Sequence, residues 1–353
     1  MPSAEPGTAP AFSGPRRAAP NRRGLLRSAA ALVGPWLPGL SLLPAGAAAQ
    51  AAFPERPVRL IVPFAPGGGV DIVARLLAEP MRAALGQPVV VENRGGAGGQ
   101  LGAQAAARAA PDGHTILLAS AGEIAAAPAL YGARLPYDPA RDLVPVTLVV
   151  RVPNLLAVTA SLPVHTAGEL VALARRRPGA LSYASSGVGN LQHLNGELFD
   201  RLAGVRTAHV PYRGTGSTLA DVAAGRVSMT YAGAPALLPL IRDGQLRPIG
   251  VSSATRMTVL PSVPALGETA ELEGYDLVNW YGLFAPAGTP PEAVARLHEA
   301  AVAALRDPDL IRKLAEQGTE AAPTTPEAFR DFVAAETASL GRLVRDAGIT
   351  PDN

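Results

Sequence analysis

The sequence predicts an α/β protein of two lobes, each a parallel-rich sheet flanked by helices, with a cleft between them. Three observations lead there. From Pro57 short β-rich runs alternate with helical patterns, and a similar series restarts after Val149. The last helical stretches have no new sheet to cover, which returns them to the first lobe. A chain that leaves one lobe, builds another and comes back crosses twice, the connectivity of a hinged cleft. Residues 52–150 with 277–353 are assigned to lobe 1 and residues 151–276 to lobe 2.

The first lobe opens with the strand Val58–Val62, a loop Pro63–Gly69, and a helix from Val70 to Leu85 with apolar residues at 73, 76, 77, 81 and 85. Val89–Val91 is a second strand, followed by the glycine-rich loop Glu92–Gly99, a helix to about Ala109 and a third strand, Thr115–Ala119. This β-α-β-α-β order puts the loops at strand C-termini, where open α/β sheets bind ligands. In the second lobe Leu155–Val158 reads as a strand, and Thr166-Ala167-Gly168-Glu169 is a capping box opening a helix to about Arg176. Leu181–Tyr183 is a strand, Ala184–Asn190 a loop and Leu191–Ala203 a helix; Val210, Val227–Tyr231 and Leu246–Val251 supply further strands. Thr289-Pro290-Pro291-Glu292 starts a helix to Arg306, and Thr325-Pro326-Glu327 another to about Ala347.

Residues 1–51 read as an export signal that is removed. They are basic at the start and apolar from Leu25 to Leu43, and Ala47-Ala48-Ala49 forms the cleavage site. Gly34, Pro35, Pro38 and Gly39 break the apolar stretch, which makes it a poor membrane-spanning helix. Asn21-Arg22-Arg23-Gly24-Leu25-Leu26-Arg27 resembles a twin-arginine signal, with ordinary secretion as the alternative route. The leader holds five arginines and one acid, so its removal leaves 26 bases against 28 acids. The sequence pI of about 9.1 therefore belongs to the precursor. A slightly acidic chain with one lysine, Lys313, has no general field for nucleic acid or anionic lipid. The absence of cysteine excludes disulfides, thiolate metal sites and a lipid-modified cysteine. The expectation is a free, soluble, monomeric protein in the periplasm.

Three glycine-rich turns carry the chemistry. In Pro63-Phe64-Ala65-Pro66-Gly67-Gly68-Gly69-Val70-Asp71 the glycines let backbone N–H groups approach a ligand, and the following helix N-terminus favours an anion without a lysine. The plain alternative is a flexible turn in which Asp71 serves the helix start. In Glu92–Gly102 the spacing Gly96-x-Gly98-x-x-x-Gly102 is partly that of a dinucleotide loop, but no acid follows the next strand, and approach to a small anion is the better reading. Tyr183–His193 supplies hydroxyls, an amide and free N–H groups suited to carboxylate oxygens; His193 is a packing or orienting residue or a ligand contact. No G-x-S-x-G elbow, H-E-x-x-H motif or Walker lysine loop occurs, and the histidines (114, 165, 193, 209, 298) are scattered. A periplasmic α/β enzyme acting on a small carboxylate or ester is the alternative, and it lacks these motifs. No cofactor and no metal are expected.

The run Pro57–Asp71 resembles the opening signature of the Bug/TctC receptors, the substrate-binding components associated with tripartite tricarboxylate transporters. Val91–Gly99, Pro111-Asp112-Gly113-His114-Thr115, His209–Gly214 and Trp280–Pro290 match in order, over nearly the whole mature chain. The resemblance implies a Venus-flytrap periplasmic binding fold of type II-like architecture, no catalysis, a carboxylate ligand, and delivery of it to tripartite tricarboxylate permease subunits or to a sensor. It places one ligand carboxylate in lobe 1 at Phe64, Gly68, Gly69 and Asp71, with Ala97 and Ser120 nearby. From lobe 2 it implies contacts by Ser185, Ser186, Gly187, Asn190, His193, Tyr212 and Gly214. The chain departs from the family pattern at Ser228, where an acid is usual, and at Gly233, where Tyr231-Ala232-Gly233 replaces a Phe-Asp-Asn run. Those smaller residues would suit a larger, less polar or aromatic carboxylate.

Overall fold

A computed structural model describes residues 53–351. The leader predicted over residues 1–51 lies outside the described residues. Among the described residues, eleven strands divide between two sheets. The first holds β1 (Val58–Val62), β2 (Val89–Asn93), β3 (Thr115–Ser120), β4 (Leu143–Val152), β10 (Asn279–Pro286) and β11 (Glu320–Ala321) in the order β11-β4-β10-β3-β1-β2. The second holds β5 (Asn154–Thr159), β6 (Ser182–Ser185), β7 (Ala208–Pro211), β8 (Met229–Gly233) and β9 (Leu246–Val251) in the order β7-β6-β8-β5-β9. The helices are α1 (Gly69–Leu85), α2 (Gln100–Ala107), α3 (Ala127–Tyr131), α4 (Pro139–Asp142), α5 (Ala167–Arg176) and α6 (Leu191–Ala203). They continue with α7 (Thr215–Ala223), α8 (Ala234–Arg242), α9 (Pro291–Leu305), α10 (Pro308–Glu316) and α11 (Pro326–Asp346).

Both sheets are mixed. β1 is parallel to β2 and β3, and β6 is parallel to β7 and β8, as β-α units require. The strands next to a sheet-to-sheet crossing run the other way: β10 is antiparallel to β3 and β4, and β5 is antiparallel to β8 and β9. Only Pro153 separates β4 from β5, so the chain passes from one sheet to the other almost without a loop. The return runs from β9 to β10. The buried hydroxyl of Ser252 ties the two crossings together, accepting from the Asn154 amide at 2.9 Å and donating to the Leu277 carbonyl at 2.8 Å.

Period-two alternation sorts the core. Val58, Leu60, Val62, Ile116 and Leu118 face α1 and α9, against Val73, Leu77, Met81, Leu297 and Ala301. Ile61, Leu117 and Ala119 face the other way, against Ala103 and Ala106 of α2 and Phe329 and Leu340 of α11. Helix α11 thus returns to the first sheet. Its Phe329 ring lies on Gly282 of β10, where an added Cβ would come within 2.0 Å of it. In the second sheet Leu155 and Ala157 face Leu219 and Leu237 of α7 and α8, while Leu156 and Val158 join Tyr183, Phe199 and Tyr231 on the opposite face. Each large side chain buried this way contributes about 1.5–3 kcal/mol over its exposed state.

Candidate functional site

The registers bring two sheet edges to one place. Tyr281 of β10 pairs with Ser120 at the C-terminal end of β3, and Asn154 at the start of β5 pairs with Gly233 at the end of β8. Between these edges lies a cavity of about 30 Å³. Its wall from the first sheet is Phe64, Gly68, Gly69, Val70, Ser120, Asn279 and Tyr281. The second sheet contributes Asn154, Ser186, Asn190, Leu191, Gln192, Thr215, Gly233 and Ala236.

No lysine or arginine is in that wall. The positive potential comes from backbone, because four helices begin there: α1 after Gly68, α6 after Asn190, α7 after Gly214 and α8 after Gly233. The first-turn amides of a helix have no intrahelical acceptor, and the aligned peptide dipoles concentrate partial positive charge at that end. In α1, α7 and α8 no side chain caps those amides. Several side-chain donors add to them. Asn154, 1% exposed, has an amide nitrogen with no hydrogen-bond partner. Asn279 uses its carbonyl oxygen on the Trp280 amide at 2.9 Å, which leaves its NH2 group for the cavity. Burial, with Glu123 nearby, pushes the Tyr281 phenol up and keeps it a donor.

The glycine loop before α1 is held from behind by Asp71. Its carboxylate accepts from the Gly67 amide at 2.9 Å, from Asn93 Nδ2 at 2.9 Å and from Arg75. Asn93 also donates to the Phe64 carbonyl at 3.1 Å. Burial raises the Asp71 carboxyl, but the bonds from Arg75, Gly67 and Asn93 outweigh it and hold the group below the usual carboxylate range.

The loop before α6 is braced in the same manner. Asn190 caps the helix by accepting from the His193 amide at 3.0 Å and donates to Ser186 Oγ at 2.7 Å, while Ser186 N–H donates to Gln192 Oε1 at 2.6 Å. His193 Nδ1 accepts from the Gly189 amide at 3.1 Å, which places the ring proton on Nε2, 3.5 Å from Glu197 Oε1. The imidazole stacks on His209 at 3.8 Å, and His209 Nε2 lies 2.6 Å from Ser185 Oγ. Across the cleft the two sides meet through backbone. A Cβ built on Gly98 would stand 2.8 Å from the Val188 carbonyl oxygen, and one on Gly187 would stand 2.8 Å from Gly98 Cα. Both glycines have positive φ, 63° and 142°, so the contact depends on their lacking side chains twice over.

Of the residues expected from sequence, Phe64, Gly68, Gly69, Ser120, Ser186 and Asn190 line the cavity. Asp71, His193 and Ser185 lie behind its wall and fix the loops that form it. Ala97 neighbours the Gly98 contact, Gly187 makes it, and Gly214 meets Ala65, whose Cβ would be 2.9 Å from a Cβ at that position. Tyr212 commits its hydroxyl to Asp221 at 2.5 Å. Of the two departures, Gly233 lines the cavity, but Ser228 does not; its hydroxyl accepts from the Ser182 amide at 3.2 Å, at the far end of the sheet. Sequence reasoning did not single out Asn154, Asn279, Tyr281, Gln192 or Thr215. Asn154, Asn279 and Tyr281 reach the site because β5 and β10 are antiparallel to their neighbours, so that the starts of these strands share an edge with strand ends.

A larger hollow of about 870 Å³ lies beside the sheet crossings, lined by Arg151, Pro153, Arg256, Arg306, Ile311 and others. The helix ends it meets are C-terminal, those of α9 and α10, and Arg256 is held by Glu268 at 2.5 Å. The helix polarity there does not favour an anion, whereas the small cavity collects N-termini. Among the described residues no group of His, Asp and Glu could hold a metal ion.

The profile of the tripartite tricarboxylate transporter family receptors (TctC) matches residues 73–349. The chain belongs to this family. Protein BugT of Bordetella pertussis is 36% identical to it over 313 residues, 88% of this chain and 96% of BugT. Among solved structures, Rpa4515 of R. palustris with adipate aligns with a TM-score of 0.81 at 38% identity, covering 84% of this chain and 99% of the other. MatC of Rhodopseudomonas palustris with bound malate aligns at 0.79 and 34% identity, covering 83% of this chain and 100% of MatC. This TctC receptor has the two-lobed α/β fold of periplasmic binding proteins, and no described helix is long and apolar enough to cross a membrane.

Proposed function

We propose that this TctC receptor captures a small organic carboxylate between its lobes, without catalysis, and presents it to a tripartite tricarboxylate permease. The observation that carries this reading is the convergence of four helix N-termini on a cavity without a lysine or arginine in its wall. Such a wall suits an anion whose charge is spread over oxygens that accept from backbone N–H groups. N-termini stand on both sides of the cleft, α1 on one and α6, α7 and α8 on the other. This favours a ligand with a carboxylate at each end, and the similar receptors bound to adipate and malate support it. The lobes divide near Pro153 and Leu277, as 52–150 with 277–353 and 151–276. Export to the periplasm after loss of residues 1–51 fits the family.

A thermal-shift panel of mono- and dicarboxylates, aliphatic and aromatic, tests the reading. A ligand at a hundred times its Kd adds about 2.7 kcal/mol to stability. For a protein of this size that is a rise of roughly 4 °C in Tm. The expected result is stabilisation by diacids above monoacids of equal length. Stabilisation by aromatic acids above aliphatic diacids would instead favour the wider pocket that Gly233 leaves. If no carboxylate stabilises the protein, the reading falls.

A further inference from the structure

Among the described residues Glu123 has no cation to balance it, and it lies immediately behind the cavity. It sits in the π-helical turn Gly122–Ala126 that follows β3 and is 1% exposed. Its carboxyl takes both donors of Ser120, the amide at 2.5 Å and the hydroxyl at 2.6 Å. It packs against Gly99, where an added Cβ would come within 3.2 Å of Glu123 Cδ and 3.1 Å of the Phe64 ring. Phe64 and Ser120 are wall residues, so one layer of side chain separates this carboxyl from a ligand.

The geometry points to Glu123 as a proton acceptor linked to ligand capture: when a carboxylate enters the cavity, Glu123 takes up one proton from solvent and turns the Ser120 hydroxyl towards the ligand. This rests on the carboxylate reading given above. While Glu123 is ionised, the Ser120 O–H points at it, and only oxygen lone pairs face the cavity. Once protonated, the Glu123 O–H donates to Ser120 Oγ, and the freed serine proton can donate to a ligand oxygen. No covalent bond to carbon changes; one proton is gained. The charges demand the same. A ligand oxygen bonded to Ser120 would lie about 5 Å from the Glu123 carboxyl, where repulsion favours the protonated form by roughly a hundredfold.

The other groups around Glu123 offer no competing charge. The Tyr137 phenol donates to the Glu123 backbone carbonyl at 2.6 Å, and Tyr281, like Tyr137, remains a neutral phenol. Helix α11 packs over the turn with Phe329, Leu340 and Val344. Its charged residues Glu327, Arg330, Asp331, Arg342, Arg345 and Asp346 are exposed, and Glu336 accepts from the Trp280 indole at 3.0 Å. Burial pushes Glu123 up to about 7, against the two Ser120 bonds that lower it, so the proton is exchangeable near neutrality.

The test is calorimetry of adipate and malate binding to the mature protein in buffers of different ionisation enthalpy, between pH 7 and 9, above the usual histidine range. Both probes are fully ionised there. With Glu123 near 7 when empty, uptake should approach one proton at pH 8, and Kd should rise about tenfold per pH unit above 7. E123Q, whose NH2 can donate to Ser120 Oγ while its oxygen keeps the Ser120 amide bond, should bind with no proton uptake and no slope in pH. Binding by the wild type without proton uptake overturns this inference and leaves the carboxylate reading standing, whether or not E123Q folds. Loss of all binding in a folded E123Q also overturns it, since the carboxylate would then be needed in its charged form. Failure of a wider carboxylate panel to bind overturns both.

Discussion

Gly98→Ala should weaken ligand binding while leaving the protein folded. The side chain it adds would place Cβ 2.8 Å from the Val188 carbonyl oxygen across the cleft, closer than Cβ atoms stand to backbone. The proposed hinge opening would part that contact, so the cost of relieving it would fall on the closed form. Overpacking of this kind costs about 1–3 kcal/mol. At about 1.4 kcal/mol per tenfold, the ligand should bind roughly 5- to 150-fold more weakly. Alanine also strains the backbone at φ 63°, but that cost of about 1–2 kcal/mol applies to open and closed forms alike. Gly244→Ala isolates it, because Gly244 has φ 69° and no atom within 4 Å of an added Cβ. Calorimetry with the best carboxylate of the panel, beside thermal melts of both variants, is the assay. Equal loss of stability with weak binding only in Gly98→Ala is the expected pattern. If Gly98→Ala binds within twofold of wild type, or Gly244→Ala weakens binding as much, the backbone contact does not govern closure.

Three further outcomes follow from the same geometry. Asn154→Ala removes the unpartnered amide donor, so affinity should fall about tenfold at little cost to folding; Asn154→Asp, which sets a charge against the anion, should bind more weakly still, and equal binding by all three proteins in calorimetry would remove Asn154 from the site. Asp71→Ala should loosen the glycine loop, lowering stability by about 1–3 kcal/mol and affinity with it. Because the folded Asp71 carboxyl lies below its unfolded value, its stabilisation is present above about pH 4 and fades as pH falls through the folded value; urea melts should therefore show the gap between wild type and Asp71→Ala shrinking as pH falls below 4. Ser252→Ala cuts the hydroxyl link between the two sheet crossings; it should leave the unpaired Asn154 amide and Leu277 carbonyl buried, lower stability by about 1–3 kcal/mol, and increase hydrogen exchange at residues 152–154 and 277–279.

Much of this was legible in the chain. The alternation that marks β1, α1, β2 and β3 is local, and side-chain period reports it wherever one face is buried. The loops after β1 and β6 were legible for the same reason, since glycine and cap residues are chosen by the backbone at their own position. Asp71 and His193 show the limit. Their type and place beside a binding loop were visible, but whether they touch ligand or hold the loop depends on Gly67, Asn93, Gly189 and Glu197. The family resemblance implies a ligand role for both departures, Ser228 and Gly233; the strand carries the two to opposite ends, and only Gly233 reaches the cavity.

The sequence by itself determined the α/β class, the two-lobed plan and the use of glycine-rich helix starts in place of cations, because these follow from local periodicity, composition and backbone preference. Tertiary structure alone decided that β5 and β10 run antiparallel to their neighbours. That choice brings Asn154, Asn279 and Tyr281 to the cavity. It also alone set Glu123, a lone acid in an apolar run, behind Ser120. Its burial and its place behind the cavity wall are set by residues far away in the chain, and such burial governs the electrostatics of the site.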